Sequence, residues 1–567
     1  MFGETRGAAP AGGKSDSTMP KTLQTLALNP ASPVLFIDNQ QPVTQAFVVT
    51  ALFSDGSSED LTGKAKFSLG KTNLGSFSAA TFTSLTEGGF TKVRAQVDSL
   101  VAETILTLVP RRLDSNGVPL DFFFVAPYND VTTPASALFS FSTKISQADI
   151  GFVVDTSGSM QAKINNLSAS LSALAGALQA QIPSVAMGVS TYDSWPCAPD
   201  GGPADYLWKL DQRVVTVQSQ GLLAVQGPLM QLMANNGGDG SEPGFDALYA
   251  AASGQAISGC GAGPLVPAFD TMSSAGAVVG ETTGTIGGMG FRKGALPLLV
   301  IASDAEFHDA DDPADLDFAP TRPFAHGHNS TLAAVKSIGG KVIGIASRGG
   351  GGEFVSFARS GTPAGNSHEP YDQMYWLAEQ TGTVVPAAAF LGVCGVGQCC
   401  TGENGSAVSP DAIGNCPLVF EVSADGSHLG TSVASAITKL VTYGGFDDGT
   451  NIVGKSTDES GAALPAMVTT ANFLESAVDG KRGVSPATSV PGVGSTGGPS
   501  GVDANRFLDV KPGTTLQFTV RVYNDFVPGS DEPQFFKATI QVIGDGSTLL
   551  DSREVYILVP PGVIQPG

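Results

Sequence analysis

Two patterns of apolar and polar residues divide the chain into three parts. In residues 22–110 and 446–562, short runs such as 516–522 alternate apolar with polar positions, and this period of two predicts β-strands with one buried face. Between these parts, wholly apolar runs alternate with segments whose apolar residues recur at steps of three and four. That combination predicts buried strands followed by amphipathic helices. The pattern therefore predicts a multidomain protein in which an α/β domain is flanked by all-β sandwich modules.

The central part shows the order of elements that is typical of a doubly wound, Rossmann-like α/β fold. Its predicted strands are the apolar runs 150–154, 185–191, 298–302 and 341–346. Its predicted helices lie near 164–178, 222–232, 245–252, 330–338, 371–380 and 431–442. Two Gly-rich segments, 253–290 and 392–415, interrupt this order and are expected to be insertions.

The first predicted strand of the central part ends in a loop with three oxygen-bearing side chains at alternate positions. These are Asp155, Ser157 and Ser159. Open α/β sheets bind ligands at the carboxyl ends of their strands, and hard divalent cations prefer oxygen ligands. The loop therefore predicts a cation site. The alternative is that one of the three caps the following helix, which accounts for one residue only.

The run Asp155-Thr156-Ser157-Gly158-Ser159 resembles the DxSxS signature of the metal-ion-dependent adhesion site (MIDAS) in von Willebrand factor A domains. Two later segments, 237–248 and 290–308, are similar to the I-like domain of integrin β subunits. Many A domains have threonine where Glu242 stands, whereas integrin β subunits have a glutamate followed by a Gly-Phe-Asp-Ala run. The resemblance spans residues 148–443 and implies the doubly wound fold of that family.

The resemblance also implies a set of metal ligands. The primary site would hold Mg²⁺ (or Mn²⁺) through Asp155, Ser157, Ser159, Glu242 and Asp304. An acidic side chain of a protein ligand would complete the coordination of this ion. A second site, suited to Ca²⁺, would use Asp193, Asp239, Glu242 and the backbone of Gly237 and Ser241. Asp193 and Asp239 are equally typical of turns, so the two interpretations of these residues stay open.

A third cation site of integrin β subunits is expected to be absent. It requires two acidic residues directly after the DxSxS run, and Ala162 and Lys163 stand at those positions. Three histidines near residues 309–312 suggest a further metal site, but a solvated acidic loop is the favoured interpretation. Neither Ser157 nor Ser159 has a motif-level base, so an enzyme is not expected.

Composition and charge narrow the classes of function. The chain has 567 residues and a formal net charge of −22 with only 30 basic residues, which argues against nucleic-acid binding. The sequence contains no apolar run long enough to cross a bilayer. Six cysteines lie between residues 190 and 420, and they predict three disulfides and an oxidising compartment. A zinc site is the alternative, which the adjacent pair Cys399-Cys400 disfavours.

The predicted organisation follows from these observations. Residues 1–20 are expected to be a flexible leader that replaces an export signal, with surface attachment through a processed N-terminus as one prediction. Residues 21–112 resemble bacterial Ig-like modules, 118–147 supply strands that we hypothesise join the C-terminal sandwich, 148–445 form the A domain, and 446–567 form that sandwich. The expected function is that of a secreted or cell-surface, adhesin-like bacterial protein. The alternative is a structural subunit of a surface appendage in which the metal only stabilises the A domain.

Overall fold

The computed structural model describes residues 21–198, 201–218, 220–234, 240–259, 263–311, 324–347, 370–475, 480–487, 499–503 and 506–562. Within these ranges the protein is multidomain and rich in sheet, and its α-helices lie in the central part.

The N-terminal part is built from strands that enclose a small apolar core. They form three sheets, in the orders β1-β4-β5, β2-β10-β9-β6 and β3-β8-β7. Phe47, Phe82 and Leu106 are among the side chains buried between them. The strands are β1 (Leu23–Asn29), β2 (Val34–Asp38), β3 (Thr44–Ala46), β4 (Val48–Phe53), β5 (Ser58–Asp60), β6 (Lys66–Leu69), β7 (Gly75–Ser78), β8 (Thr81–Ser84), β9 (Gly89–Val97) and β10 (Leu100–Arg111).

Two strands that precede the central part pair with strands at the other end of the chain. Strand β11 (Phe122–Val125) and strand β12 (Ala137–Ser142) come before the central sheet in sequence. Strand β11 pairs in parallel with the last strand of the described chain, and β12 pairs antiparallel with strand Thr515–Arg521. Both strands therefore belong to C-terminal sheets and not to the sheets of the N-terminal part.

The central part contains a six-stranded sheet in which the first strand of the segment lies in the middle. Its strands and helices are β13 (Gln147–Asp155), α1 (Gln161–Gln179), β14 (Ser184–Tyr192), β15 (Lys209–Thr216), α2 (Gln220–Gln231), α3 (Gly244–Ser253), β16 (Ile257–Ser258), β17 (Pro264–Val266), β18 (Leu296–Ser303), α4 (His328–Ser337), β19 (Lys341–Ser347), α5 (Pro370–Gln380), β20 (Val384–Pro386), β21 (Cys399–Gly402), β22 (Ser406–Val408), β23 (Asn415–Pro417), β24 (Val419–Val422) and α6 (Leu429–Tyr443). The order across the sheet is β15-β14-β13-β18-β19-β24, and only β15 is antiparallel to its neighbour.

Helices cover both faces of this sheet. Phe152 and Val300 point into a core that also contains side chains of α1 and α6, while Val153 and Leu299 point into a core shared with α3, α4 and α5. Strands that are covered on both faces must be apolar at successive positions, which explains the uninterrupted hydrophobic runs.

The C-terminal part consists of two further sheets. Their orders are β11-β31-β30-β25-β28-β27 and β12-β29-β26. The remaining strands are β25 (Phe446–Val453), β26 (Gly483–Pro486), β27 (Gly501–Val502), β28 (Arg506–Val510), β29 (Thr515–Arg521), β30 (Gln534–Gly544) and β31 (Thr548–Val559). Their core is continuous with one face of the central sheet, and helix α6 is separated from β25 by only two residues.

The structure contains strands that the sequence did not predict, among them β15 and β24 of the central sheet and β26 of the C-terminal part. Strand β15 was not predicted, because Lys209, Asp211 and Arg213 break the apolar pattern at this antiparallel edge of the sheet. The stretch 479–504 is rich in Gly, Pro, Ser and Val, a composition typical of a loop, but Gly483–Pro486 forms β26, which pairs with β29. Glycine and proline have a low propensity for β-strands, so such a strand is not predicted from its composition. Its conformation is determined by pairing with a neighbouring strand.

The described cysteines are in disulfides, as predicted. Cys394 is bonded to Cys400 and Cys399 to Cys416, so the adjacent pair forms disulfides and not a zinc site. Cys197 is disulfide-bonded as well, and Cys260 lies outside the described residues. A bilayer-spanning helix is not found in the ranges that the structure describes.

One buried carboxyl group in the C-terminal part predicts a pH-dependent stability. Asp448 of β25 is fully buried beside Phe507 and Gly544, and neither of its carboxyl oxygens has a hydrogen-bond partner in the described chain. Burial, and then the charges of Asp545 and Asp447, raise the pKa of this carboxyl from 3.8 to about 9. The folded state therefore retains a proton that the unfolded state releases, so the stability that this group contributes at low pH is lost as the pH rises from 3.8 towards 9.

We expect Asp448→Asn to raise the free energy of unfolding at pH 8 by about 2 kcal/mol or more, since each pKa unit corresponds to ~1.4 kcal/mol. The gain should vanish near pH 3, below the unfolded-state pKa of 3.8, where Asp448 is mostly protonated in both states. Denaturant unfolding at the two pH values measures the difference, with the exposed Asp531→Asn as the control. An equal gain at both pH values would show that Asp448 does not titrate as described.

Candidate metal centre

Three acidic residues lie at the carboxyl ends of three adjacent parallel strands. Asp155 is the last residue of β13, Asp193 follows β14, and Asp304 follows β18. In the register of the sheet, Asp155 pairs with Tyr192 of β14, and Val154 pairs with Ala302 of β18. Parallel pairing in this register brings the three strand ends to one edge of the sheet. The sequence motifs thus meet where open α/β sheets place their ligands.

The carboxylate of Asp155 links the loop after β13 to the loop after β18. One carboxylate oxygen accepts a 2.7 Å hydrogen bond from the backbone N–H of Ser157, and the other accepts a 2.7 Å bond from the hydroxyl of Ser303. The chain then turns through Gly158–Met160 into helix α1. The first bond fixes the loop that follows the strand, and the second fixes the residue before Asp304.

Asp304 is held by the same loop and by the first turn of α1. Its Oδ1 accepts a 2.8 Å hydrogen bond from the Ser159 hydroxyl, and its Oδ2 lies 2.8 Å from the ammonium nitrogen of Lys163. That ammonium group also donates to the backbone carbonyl of Ser159 at 2.8 Å. The side chains of Lys163 and Asp304 are only 1% and 2% exposed. Ser159 itself is exposed, so the site opens to solvent on this side.

Glu242 reaches the site from the segment that precedes helix α3. Its backbone N–H donates to the carbonyl of Glu306 at 2.8 Å, and its own carbonyl accepts a 3.0 Å bond from the N–H of His308. These two bonds place it beside the loop that carries Asp304. Its side chain is buried and accepts a 3.1 Å hydrogen bond from the hydroxyl of Ser194.

The electrostatic interactions show that the carboxylates of Asp155, Glu242 and Asp304 lie near one another. The phenol of Tyr192 is fully buried, and burial together with the charges of Asp155, Glu242 and Asp304 raises its pKa. Burial, and then the charge of Asp304, raise the pKa of Asp155 to about 7. Several anionic groups therefore crowd a largely desolvated region, which is unfavourable unless a cation balances them.

The donor set fits a hard divalent cation. Three carboxylates and two serine hydroxyls offer only oxygen, the donor type that Mg²⁺ and Mn²⁺ accept. The hydroxyl oxygen of Ser157 is buried and has no partner in hydrogen-bonding geometry among the described residues. A buried hydroxyl without a hydrogen-bond partner in this position fits a serine that would coordinate the cation directly. A bound cation would supply positive charge and an electrophilic centre for an anionic ligand atom.

The second predicted site is covered only in part by the described residues, since Gly237 and Asp239 lie outside them. Asp193 accepts hydrogen bonds from the backbone N–H groups of Ser194 and Tyr206, each at 2.6 Å. Ser241 donates its hydroxyl to Glu306 at 2.6 Å. The contacts of Asp193 are those of a residue that stabilises a turn, and the Ca²⁺ site stays a prediction.

A separate group of possible ligands lies at the start of helix α4. Donor atoms of Asp309, Asp311 and His328 fall within 4.8 Å of one another. Asp309 is buried and accepts hydrogen bonds from the backbone N–H and the ring Nδ1 of His328, at 3.0 and 2.7 Å. These contacts bury Asp309 against the helix, whereas Asp311 is exposed, so the solvated acidic loop that the sequence favours fits Asp311 but not Asp309. Asp312 lies outside the described residues.

Three contacts of the site were not foreseen from the sequence. The sequence marks Lys163 only as a non-acidic residue that disfavours the third cation site, although its spacing of four residues from Ser159 indicates a contact one helical turn away. Ser303 and Tyr192 directly follow the predicted strands 298–302 and 185–191. Their positions directly before Asp304 and Asp193 were the available signal that they line the same edge of the sheet.

No protein-family model matches the chain, and no curated protein sequence matches it. Among solved structures, the chain is similar to a von Willebrand factor type A protein from Catenulispora acidiphila, with a TM-score of 0.28 and 12% identity over 78% of this chain and 72% of that one. It is also similar to the pilus adhesin SpaC from Lactobacillus rhamnosus GG, with a TM-score of 0.25 and 11% identity over 86% of this chain and 46% of that one.

A third similar structure is proximal thread matrix protein 1 from the mussel byssus, with a TM-score of 0.27 and 12% identity over 56% of this chain and 52% of that one. The chain thus spans about half the length of the pilus adhesin and of the byssus protein. TM-scores this low transfer neither a fold nor a function to the chain.

We expect Mg²⁺ to stabilise the protein through this site. A ligand at 100 times its dissociation constant adds about 2.7 kcal/mol to the free energy of unfolding if it binds only the folded state. Thermal unfolding in EDTA and in saturating Mg²⁺ should therefore differ for the wild type and for the exposed control Asp531→Asn, but not for Asp155→Ala. An equal Mg²⁺ effect in Asp155→Ala would place the ion elsewhere.

Proposed function

We propose that this protein is a secreted or cell-surface, adhesin-like protein that binds a protein ligand through a divalent cation. The cation is held at the edge of the central sheet by Asp155, Ser157, Ser159, Glu242 and Asp304, and an acidic side chain of the ligand completes its coordination. The observation that carries this proposal is the network around Asp304, in which the loop after β13 and the loop after β18 are joined by the 2.8 Å bond from Ser159.

The accessibility of the site supports a ligand that arrives from outside the domain. Asp155, Ser157 and Glu242 are buried, whereas Ser159 and Gly158 are exposed at the opening. An ion bound among the buried groups would therefore have one side towards solvent. Mg²⁺ usually retains several waters, and a carboxylate from a partner replaces one of them without rearrangement of the protein ligands.

The resemblance to von Willebrand factor A domains and to the integrin β I-like domain supports the same function. In those families the three loops described above bind the ion that contacts the ligand. This chain has the corresponding residues in the same order, with Glu242 where integrin β subunits have a glutamate. Binding at this site requires no covalent step, which accords with the absence of a motif-level base.

An extracellular location is part of the proposal. The disulfides of Cys394, Cys399 and their partners are stable in an oxidising compartment. The formal net charge of −22 keeps a protein soluble and favours interaction with cations over polyanions.

A structural role is the second candidate, and the packing between the parts of the chain favours it. Phe90 and Val109 of the N-terminal part pack with Phe535 and Tyr556 of the C-terminal part. Lys92 and Glu532 form a salt bridge of 2.6 Å across the same contact. A unit whose parts pack on one another in this way suits a subunit of a surface appendage, in which the cation would only stabilise the central domain.

A peptide array separates the two functions. In the presence of Mg²⁺, we expect the full chain to bind some peptides that contain Asp or Glu. It should not bind the matched peptides in which Asn or Gln replaces the acidic residue. EDTA and Asp155→Ala should abolish the same spots, and Asp531→Asn should retain them. Peptide binding that survives replacement of the acidic residue, EDTA and Asp155→Ala would contradict the proposal. Stabilisation by Mg²⁺ without any carboxylate-dependent peptide binding would favour the structural role.

A further inference from the structure

Lys163 is a buried cation within the candidate metal centre. Its side chain is 1% exposed, and lysine is almost never buried to this extent unless it is paired. Its ammonium group contacts the carboxylate of Asp304 and the backbone carbonyl of Ser159, each at 2.8 Å. The positive charge of the lysine is thus fixed beside one of the proposed metal ligands.

We propose that Lys163 acts as a built-in cation that sets the affinity of the centre for its metal ion. Its ammonium group balances Asp304 when no ion is bound and repels a divalent ion when one binds. The residue thereby keeps the metal-free domain folded and weakens cation binding. This inference deepens the proposed function and rests on it, because it assumes that Asp155 and Asp304 belong to a cation site.

A count of charges shows what the lysine contributes. The carboxylates of Asp155, Glu242 and Asp304, the ammonium group of Lys163 and one divalent ion sum to zero when all groups are charged. Without the lysine the loaded site would carry one negative charge. A negative site would repel the carboxylate of an incoming ligand, and this repulsion is strong where water is excluded. The lysine therefore makes the loaded centre neutral before an acidic ligand binds.

The position of Lys163 is fixed by the segment that precedes helix α6. Gly426 of this segment lies so close that a Cβ atom on it would come within 2.6 Å of the Cα of Lys163. The side-chain amide of Asn166 donates to the carbonyl of Asp425 at 2.7 Å and holds the same segment against α1. Gly426 also has φ +73°, so both its conformation and its surroundings favour glycine. This close packing holds the backbone of Lys163 in place beside Asp304.

The proposal is tested with Lys163→Met, which keeps the length of the side chain but removes its charge. Mg²⁺ alone is titrated into the full chain by calorimetry, and thermal unfolding is measured in EDTA and in saturating Mg²⁺. We expect Lys163→Met to bind Mg²⁺ roughly tenfold or more tightly than the wild type, because a nearby positive charge is removed. It should melt at a lower temperature in EDTA, where Asp304 is left unpaired, and recover most of the loss in Mg²⁺.

The matched control is Lys163→Arg, which retains the charge and should bind Mg²⁺ much as the wild type does. If Lys163→Met does not fold in EDTA, addition of Mg²⁺ should restore the folded signal, and failure to restore it would overturn the proposal. Unchanged or weaker Mg²⁺ affinity, with an equal loss of stability in both conditions, would show that Lys163 only packs. Absence of Mg²⁺ binding in the wild type would instead overturn the proposed cation site itself.

Discussion

The mutual repulsion of carboxylates at one edge of the central sheet is the constraint on which the site depends. Asp155, Glu242 and Asp304 are drawn together by backbone pairing and by hydrogen bonds, and most of their surface is removed from water. Charges of one sign in such an environment destabilise the fold unless opposite charge is nearby. In the described chain, Lys163 supplies part of that charge. A divalent ion would supply the remainder, which is why the arrangement favours a cation site over a purely structural hydrogen-bond network.

The rest of the fold keeps these groups in place. Strands β13, β14 and β18 are buried on both faces, so their ends cannot shift without disturbing two cores at once. At the opposite edge of the sheet, Asp149 forms a buried ion pair with Arg292, whose backbone N–H also donates to it at 2.6 Å. Helix α6 packs on α1 and continues almost directly into β25 of the C-terminal sheet. The candidate metal centre is therefore physically connected to the C-terminal part through two packed helices.

The sequence was informative where one physical requirement determines the pattern. Strands covered on both faces need apolar residues at successive positions, so β13, β18 and β19 could be predicted. A loop that binds a cation needs oxygen-bearing side chains, so Asp155, Ser157 and Ser159 could be recognised as candidate ligands. The edge strand β15 was missed because polar residues, including the buried Gln212 and Arg213, interrupt its apolar pattern, and β26 was missed because pairing with β29 prevails over its Gly-Pro composition. The ion pair between Lys163 and Asp304 joins residues that are 141 positions apart in the sequence, and no local pattern encodes such a contact. Metal binding by the five residues stays a prediction, and Gly237 and Asp239 lie outside the described chain.

Anomalous diffraction from crystals of the full chain grown with Mn²⁺ tests the central claim most directly. The cation site described above predicts a peak within coordination distance of the hydroxyl oxygens of Ser157 and Ser159, with Asp155 as a direct or water-bridged ligand. Loss of that peak in crystals of Asp155→Ala would assign it to this loop. A wild-type crystal without such a peak, or with its main peak at Asp309, Asp311 and His328, would contradict the assignment of the cation site.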